Sequence, residues 1–143
     1  MEDLVRYLDE IVLPTVADFE ANPTSRRHAF LACVAVFHSI DYLAYPGKSR
    51  SMRQNFRRQS PDFLIVDDVA HAFKHVASHG RPKERLRAHD VINQGGSFSS
   101  AFSLDFDVSR VTIAGRPEVN LLTTVKRTVE FLRVSSAASH GPA

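Results

Sequence analysis

Tryptophan is absent from this chain, cysteine occurs once, and the longest uninterrupted apolar run is only nine residues, Ala29 to Phe37. Each shortage excludes something. A single cysteine rules out an internal disulfide, and 143 residues with 43% hydrophobic content do not need one. Cys33 lies inside the apolar run, where it reads as a small buried apolar residue rather than a nucleophile. Nine apolar residues fall far short of the roughly 20 that a membrane span requires. The opening Met1-Glu2-Asp3 is acidic where a secretion signal is basic, so a cytoplasmic location is expected. No complete cofactor or nucleophile motif is present. Gln94-Gly95-Gly96-Ser97 lacks the Gly-Lys-Ser/Thr ending of a phosphate loop and precedes a strand-like stretch, and no serine sits in a nucleophile elbow. No cofactor is expected.

What is present is helical periodicity. Leu4, Leu8, Ile11, Val12, Thr15, Val16 and Phe19 recur at helical spacing over residues 2–21, with Pro14 expected to kink or split the helix. Thr24 or Ser25 can cap a second helix running to about Tyr45, apolar on every side from Ala29 to Phe37 and therefore expected at the centre. Residues 48–59 form a short basic helix. Ser60-Pro61-Asp62 starts the next, expected to end at Gly80. Residues 81–97 read as loop. Phe102, Leu104, Phe106 and Val108 alternate with polar residues, giving a strand whose partner would be Arg110–Ala114. Asn120 caps a last helix, and residues 135–143 read as a disordered tail. The expected fold is α+β and mainly α: one domain over 1–134, a bundle of four to five helices with a small β-hairpin at about 98–119.

Three constellations carry chemistry. On the helix from Pro61, residues His71, His75 and His79 are four apart, with Asp67 and Asp68 about one turn before His71. This polar side lies nearly opposite the apolar stripe, so it faces either water or a partner. A histidine oriented by a carboxylate can do acid–base work near neutral pH, which makes Asp68, His71 and His75 catalytic candidates, with Asp67 as the alternative carboxylate. The His-x-x-x-His spacing also suits a transition metal, but position 72 is Ala where a zinc protease has Glu, and Lys74 adjoins the site, so no metal ligand set is assigned. On the central helix, His38, Asp41, Tyr42 and Tyr45 share a side. They form either an internal hydrogen-bonded group or the far wall of one cleft with His71 and His75. Third, Lys48, Arg50, Arg53, Arg57 and Arg58 place five cations in eleven residues without an acid, a pattern suited to phosphates. Residues 24–60 carry a net charge of +6 and residues 1–23 carry −5. These two segments could attract each other, or the basic one could be an anion-binding face.

Two stretches, Arg27-His-Ala-Phe-Leu-Ala-Cys-Val-Ala-Val-Phe-His-Ser-Ile-Asp-Tyr-Leu43 and Val66-Asp-Asp-Val-Ala-His-Ala-Phe-Lys-His-Val76, resemble small bacterial proteins of uncharacterised activity. The layout is also similar to the HEPN helical bundles, a resemblance that implies action on RNA or membership of a toxin or defence system. Ribonuclease members of that family use an Arg and a His four to six residues apart on a late helix. The corresponding stretch here is His71-Ala-Phe-Lys-His75, without the Arg, so no catalytic role is carried over. The expectation is a bacterial binding or interaction module, homo-oligomeric and in its simplest form a homodimer, with a basic surface for nucleic acid, a nucleotide or another anionic ligand. The alternatives are a His-dependent hydrolase or nuclease using His71 and His75 with Asp67 or Asp68, and a metal-binding helical protein.

Overall fold

The computed structural model of the chain describes residues 2–78, 80, 83, 85–94 and 110–138. The fold is mainly helical with a two-stranded antiparallel sheet, as the periodicity implies. The elements are α1 (Glu2–Tyr7), a π-helical turn (Leu8–Val12), α2 (Leu13–Ala21), α3 (Arg26–Ala44), α4 (Arg50–Gln59), α5 (Pro61–His75), β1 (Val91–Gln94), β2 (Arg110–Ile113) and α6 (Leu121–Ala138). Among the described residues, no helix is long and apolar enough to cross a membrane.

The N-terminal helix shows how sequence spacing sets backbone geometry. Its buried residues are Leu4, Leu8, Val12, Val16 and Phe19, mostly four apart. A regular α-helix advances about 100° per residue, so a spacing of four drifts by about 40° at each step. A π turn takes in one extra residue and corrects that drift. Here Leu13 donates its N–H to the carbonyl of Leu8, five residues back, and the backbone stays helical through the junction. The segment expected to be kinked or split at Pro14 is thus divided by the π turn into α1 and α2, while the backbone stays helical throughout. Pro14 sits just after the π turn, where its missing N–H is absorbed. The same correction turns Ile11 outward, leaving it exposed rather than in the core.

Capping follows the sequence closely. Ser25 Oγ accepts from His28 N–H at the start of α3, Ser60 Oγ from Phe63 N–H at the start of α5, and Asn120 Oδ1 from Thr123 N–H at the start of α6. The central helix α3 packs chiefly on α5, with α2 and α6 also against it. Its Ala29, Ala32, Cys33, Val36 and Ile40 are fully buried. Phe19 and Phe63 are the largest fully enclosed side chains, and Phe56 packs edge-on against both Phe63 and Phe131. Burying each such ring contributes about 1.5–3 kcal/mol. An Arg127–Asp62 fork and a Lys126–Glu20 ion pair tie α6 to α5 and α2.

Four expectations need correction. The strand pairing with Arg110–Ile113 is Val91–Gln94, in the register Val91↔Ile113, so part of the 81–97 segment is not loop and the hairpin does not begin at 98. In β1 only Val91 is buried, too little for a period-two signal. The stretch Phe102 to Val108 lies outside the described residues. Helix α5 ends at His75, not Gly80, because Val76 adopts a left-handed φ of 69°. Helix α6 continues to Ala138, with Ser136 buried, so the chain is still ordered helix where the tail was expected to begin at 135. The sheet is held to the bundle by Arg26, which donates to the Ala88 carbonyl at 3.0 Å, and by Asn93, which donates to the Thr24 carbonyl at 2.7 Å.

Candidate functional site

One residue, Ser60, separates α4 from α5, so α4 folds back over the polar side of α5. That side is therefore not a solvated stripe. Asp67 is fully buried. Its Oδ2 accepts from Arg53 Nε at 2.8 Å and from Arg57 Nη1 at 2.6 Å. Arg57 Nη1 also donates to Asp68 Oδ1 at 2.9 Å. Spacing explains the fit. Arg53 and Arg57 are four apart, hence on one face of α4, and they meet the adjacent acids Asp67 and Asp68. Two guanidinium groups and two carboxylates cancel, so this cluster presents no surplus charge. A buried charge must be compensated in this way, and the short, charge-assisted bonds do it.

His71 completes the cluster and is largely buried. Its Nδ1 is 2.9 Å from the backbone carbonyl of Asp67, which can only accept, so Nδ1 carries the proton. Asp67 Oδ1 lies 2.7 Å from the same nitrogen, but the ring hydrogen is directed at the carbonyl, leaving Oδ1 without an aligned hydrogen bond. The 3.5 Å approach of Arg53 Nη2 to Nδ1 brings two donors together and is a proximity only. Phe37 of α3 closes the cluster. Its ring meets His71 edge-on at 5.0 Å and lies under the Arg53 guanidinium at 5.6 Å.

Burial is the largest influence on both titrating partners with resolved shifts. It raises the Asp68 carboxyl above the ordinary carboxylate value, against the opposing pull of Arg57. It lowers the Arg57 guanidinium, but hydrogen bonds to Asp67 and Asp68 outweigh it and the net shift is upward.

The candidates named from the sequence thus separate into groups. Asp68 and His71 join Arg53 and Arg57 in one buried cluster. His75 is exposed on the next turn, its ring 6.1 Å from that of His71. His38 and Asp41 pair with each other at 3.0 Å on the exposed side of α3. Phe37 stands between His38 and His71, about 5 Å from each ring. Asp41 opens instead on a cavity with Tyr7, Tyr42 and Tyr45. His79 lies outside the described residues. Among the described residues, no three His, Cys, Asp or Glu side chains are placed to hold a metal ion.

The basic segment also divides. Arg53 and Arg57 turn inward to pair with Asp67 and Asp68, with about a quarter of each side chain still exposed. Lys48, Arg50 and Arg58 stay exposed. Arg50, Gln54 and Arg58 form one exposed stripe four apart on α4, with Ser51, Asn55 and Gln59 beside it, and no acid or large apolar group among them. The four-residue spacing of Arg50, Gln54 and Arg58 is the sequence signal for this stripe, and Gln54 and Asn55 carry no charge that would mark them. A further cleft of about 300 Å³ lies beyond Asp68 and is lined by Lys83, Arg85 and Arg116 together with Asp90. Asp90 is occupied in capping: its Oδ2 accepts from Arg87 N–H at 2.8 Å.

No family model matches this chain, and no curated protein or solved structure matches it.

Proposed function

We propose that this chain is a cytoplasmic binding module whose exposed face of α4 engages double-stranded nucleic acid. The observation that carries this reading is the composition of that face. It offers only Arg, Ser, Gln and Asn donors and acceptors, on a helix clamped to the body of the protein through Arg53 and Arg57. Such side chains bond phosphates and base edges. At a rise of 1.5 Å per residue, Arg50 and Arg58 are roughly 12 Å apart along the helix, about the width of a B-form major groove. The face has no aromatic side chain for stacking, which favours a duplex over a single strand. The inward pair keeps α4 rigid, so the outward pair is held at a fixed spacing without paying ordering entropy on binding.

The test is fluorescence anisotropy with labelled duplex DNA and duplex RNA at low salt. Wild-type protein should bind at least one of them. The variant Arg50→Glu/Arg58→Glu should lose most of that binding, and Arg133→Glu on α6 should not. Absence of binding to both duplexes, or equal loss in both variants, contradicts the reading.

A second reading rests on the Asp67–His71 contact. The Asp67 carbonyl 2.9 Å from Nδ1 fixes the tautomer and ring orientation, as a general acid–base requires, and the Asp67 carboxylate 2.7 Å away is placed to stabilise a charged ring. On this reading His71, with His75 nearby, hydrolyses a phosphodiester or ester. Hydrolysis that disappears in His71→Gln, while the helical circular dichroism signal is kept, is the result it requires.

A further inference from the structure

All three tyrosines of the chain line one cavity, of about 640 Å³, between the N-terminal helix and the C-terminal end of α3. That volume lies within the roughly 300–1,000 Å³ common to small-molecule sites. Tyr7 and Tyr42 stack with ring centroids 4.2 Å apart. Tyr7 is fixed by its hydroxyl, which donates to the Ala35 carbonyl at 2.8 Å. Burial holds its pKa up at about 12, so the ring is neutral under ordinary conditions. Tyr42 and Tyr45 are both exposed, Tyr45 by 78%. Packing therefore does not account for the placement of Tyr45 at this mouth.

The charge of the walls is one-sided. Among the described residues, Asp3, Glu10 and Asp41 line the cavity against a single cation, Arg6. Arg6 is already bonded to Glu10 at 2.9 Å, and His38 pairs with Asp41 at 3.0 Å. The remaining wall is apolar, from Leu4 and the outward-turned Ile11. The π-helical turn puts both Glu10 and Ile11 there, and such turns recur at functional sites.

We infer that this cavity binds an alkylammonium cation, a positively charged nitrogen carrying methyl or methylene groups. Aromatic faces attract such a cation through the ring quadrupole, the carboxylates supply the counter-charge, and Leu4 and Ile11 receive the alkyl groups. An anion would meet three carboxylates. A neutral apolar ligand would leave them without a role. A bare metal ion is poorly served, because no three ligating side chains converge among the described residues.

The chain reports on this site directly. It has no tryptophan and its three tyrosines are all in the cavity, so intrinsic tyrosine fluorescence is a local signal. The experiment titrates intact protein with choline and, separately, with 3,3-dimethyl-1-butanol, its uncharged isostere, following tyrosine emission and calorimetric heat. Choline should bind with a dissociation constant no weaker than about ten millimolar, and the isostere at least about tenfold more weakly. Tyr42→Leu, Tyr45→Ala and Asp41→Asn should each weaken choline by about fivefold. The exposed Tyr45 tests the site without loading the core. No response to choline, an equal response to the isostere, or unchanged affinity in Tyr42→Leu and Tyr45→Ala overturns the assignment. The duplex-binding face of α4 is separate from this cavity, so neither result depends on the other.

Discussion

Asp67→Asn replaces the one fully buried carboxylate among the described residues by a neutral amide of nearly the same shape. Two charge-assisted bonds, from Arg53 Nε and Arg57 Nη1, become bonds to a neutral acceptor. A hydrogen bond to a charged group contributes about 1.5–3 kcal/mol, and a neutral one about 0.5–1.5 kcal/mol. The loss is therefore about 1–1.5 kcal/mol per bond, or roughly 2–3 kcal/mol in all. Breaking a wholly buried ion pair costs about 3–5 kcal/mol, which sets a ceiling. The side chains of Arg53 and Arg57 are 25% and 28% exposed, and Arg57 keeps Asp68, so the lower range applies. With a urea slope of about 2 kcal/mol per molar, the unfolding midpoint should fall by about 1–1.5 M. The assay is urea unfolding followed by circular dichroism. A shift under about 0.25 M, equivalent to 0.5 kcal/mol at that slope, would refute the claim that Asp67 clamps α4 to α5.

Asp68 should respond in the opposite sense. A carboxyl raised in the fold is favoured in its neutral form, so its stabilising contribution is present at low pH and fades as pH rises through the folded value. Asp68→Asn should then match or exceed wild-type stability at pH 7, with the gap closing below the ordinary carboxylate range, as urea midpoints across pH will show. Burial lifts the Cys33 thiol to about 12, so native protein should not react with a thiol reagent such as DTNB until urea unfolds it. Val76 is a β-branched residue at φ 69° with an exposed side chain. Val76→Gly should therefore stabilise by up to about 1 kcal/mol in thermal unfolding, since left-handed backbone costs an L-residue roughly that much. A loss of stability there would mean that the Val76 side chain makes a contact of value.

Local rules carried most of the fold. Ser25, Ser60 and Asn120 could be read as caps because a cap is a short-range hydrogen bond. The buried series from Leu4 to Phe19 was legible as periodicity, while the π turn that makes it fit was not, because a spacing of four is also ordinary helical spacing. Strand β1 was hidden because Val91 alone among its four residues is buried. The site was legible in its parts and not in its assembly. Arg53 and Arg57 looked like open cations, and Asp67, Asp68 and His71 like a polar surface, because no local rule says that two such faces meet. Attraction between the acidic segment 1–23 and the basic segment 24–60, one of the two readings of that charge pattern, has no ion pair behind it among the described residues: Arg53 and Arg57 pair with α5, and Glu20 pairs with Lys126 of α6. Four-residue spacing of cations, set against adjacent acids one helix later, was the signal available for the true pairing. Tyr42 and Tyr45 are three residues apart at the end of α3, and only the packing of α1 on α3 brings the distant Tyr7 to them.

The salt dependence of duplex binding tests the central claim most directly. Each phosphate contact made by a cation contributes close to one unit to the slope of log affinity against log salt concentration. Wild-type protein and Arg50→Gln/Arg58→Gln are to be compared by anisotropy over a salt series on whichever duplex binds. The expected result is a slope shallower by about two in the double variant. An unchanged slope, or no salt-sensitive binding by the wild-type protein, would contradict the assignment of α4 as the nucleic-acid face.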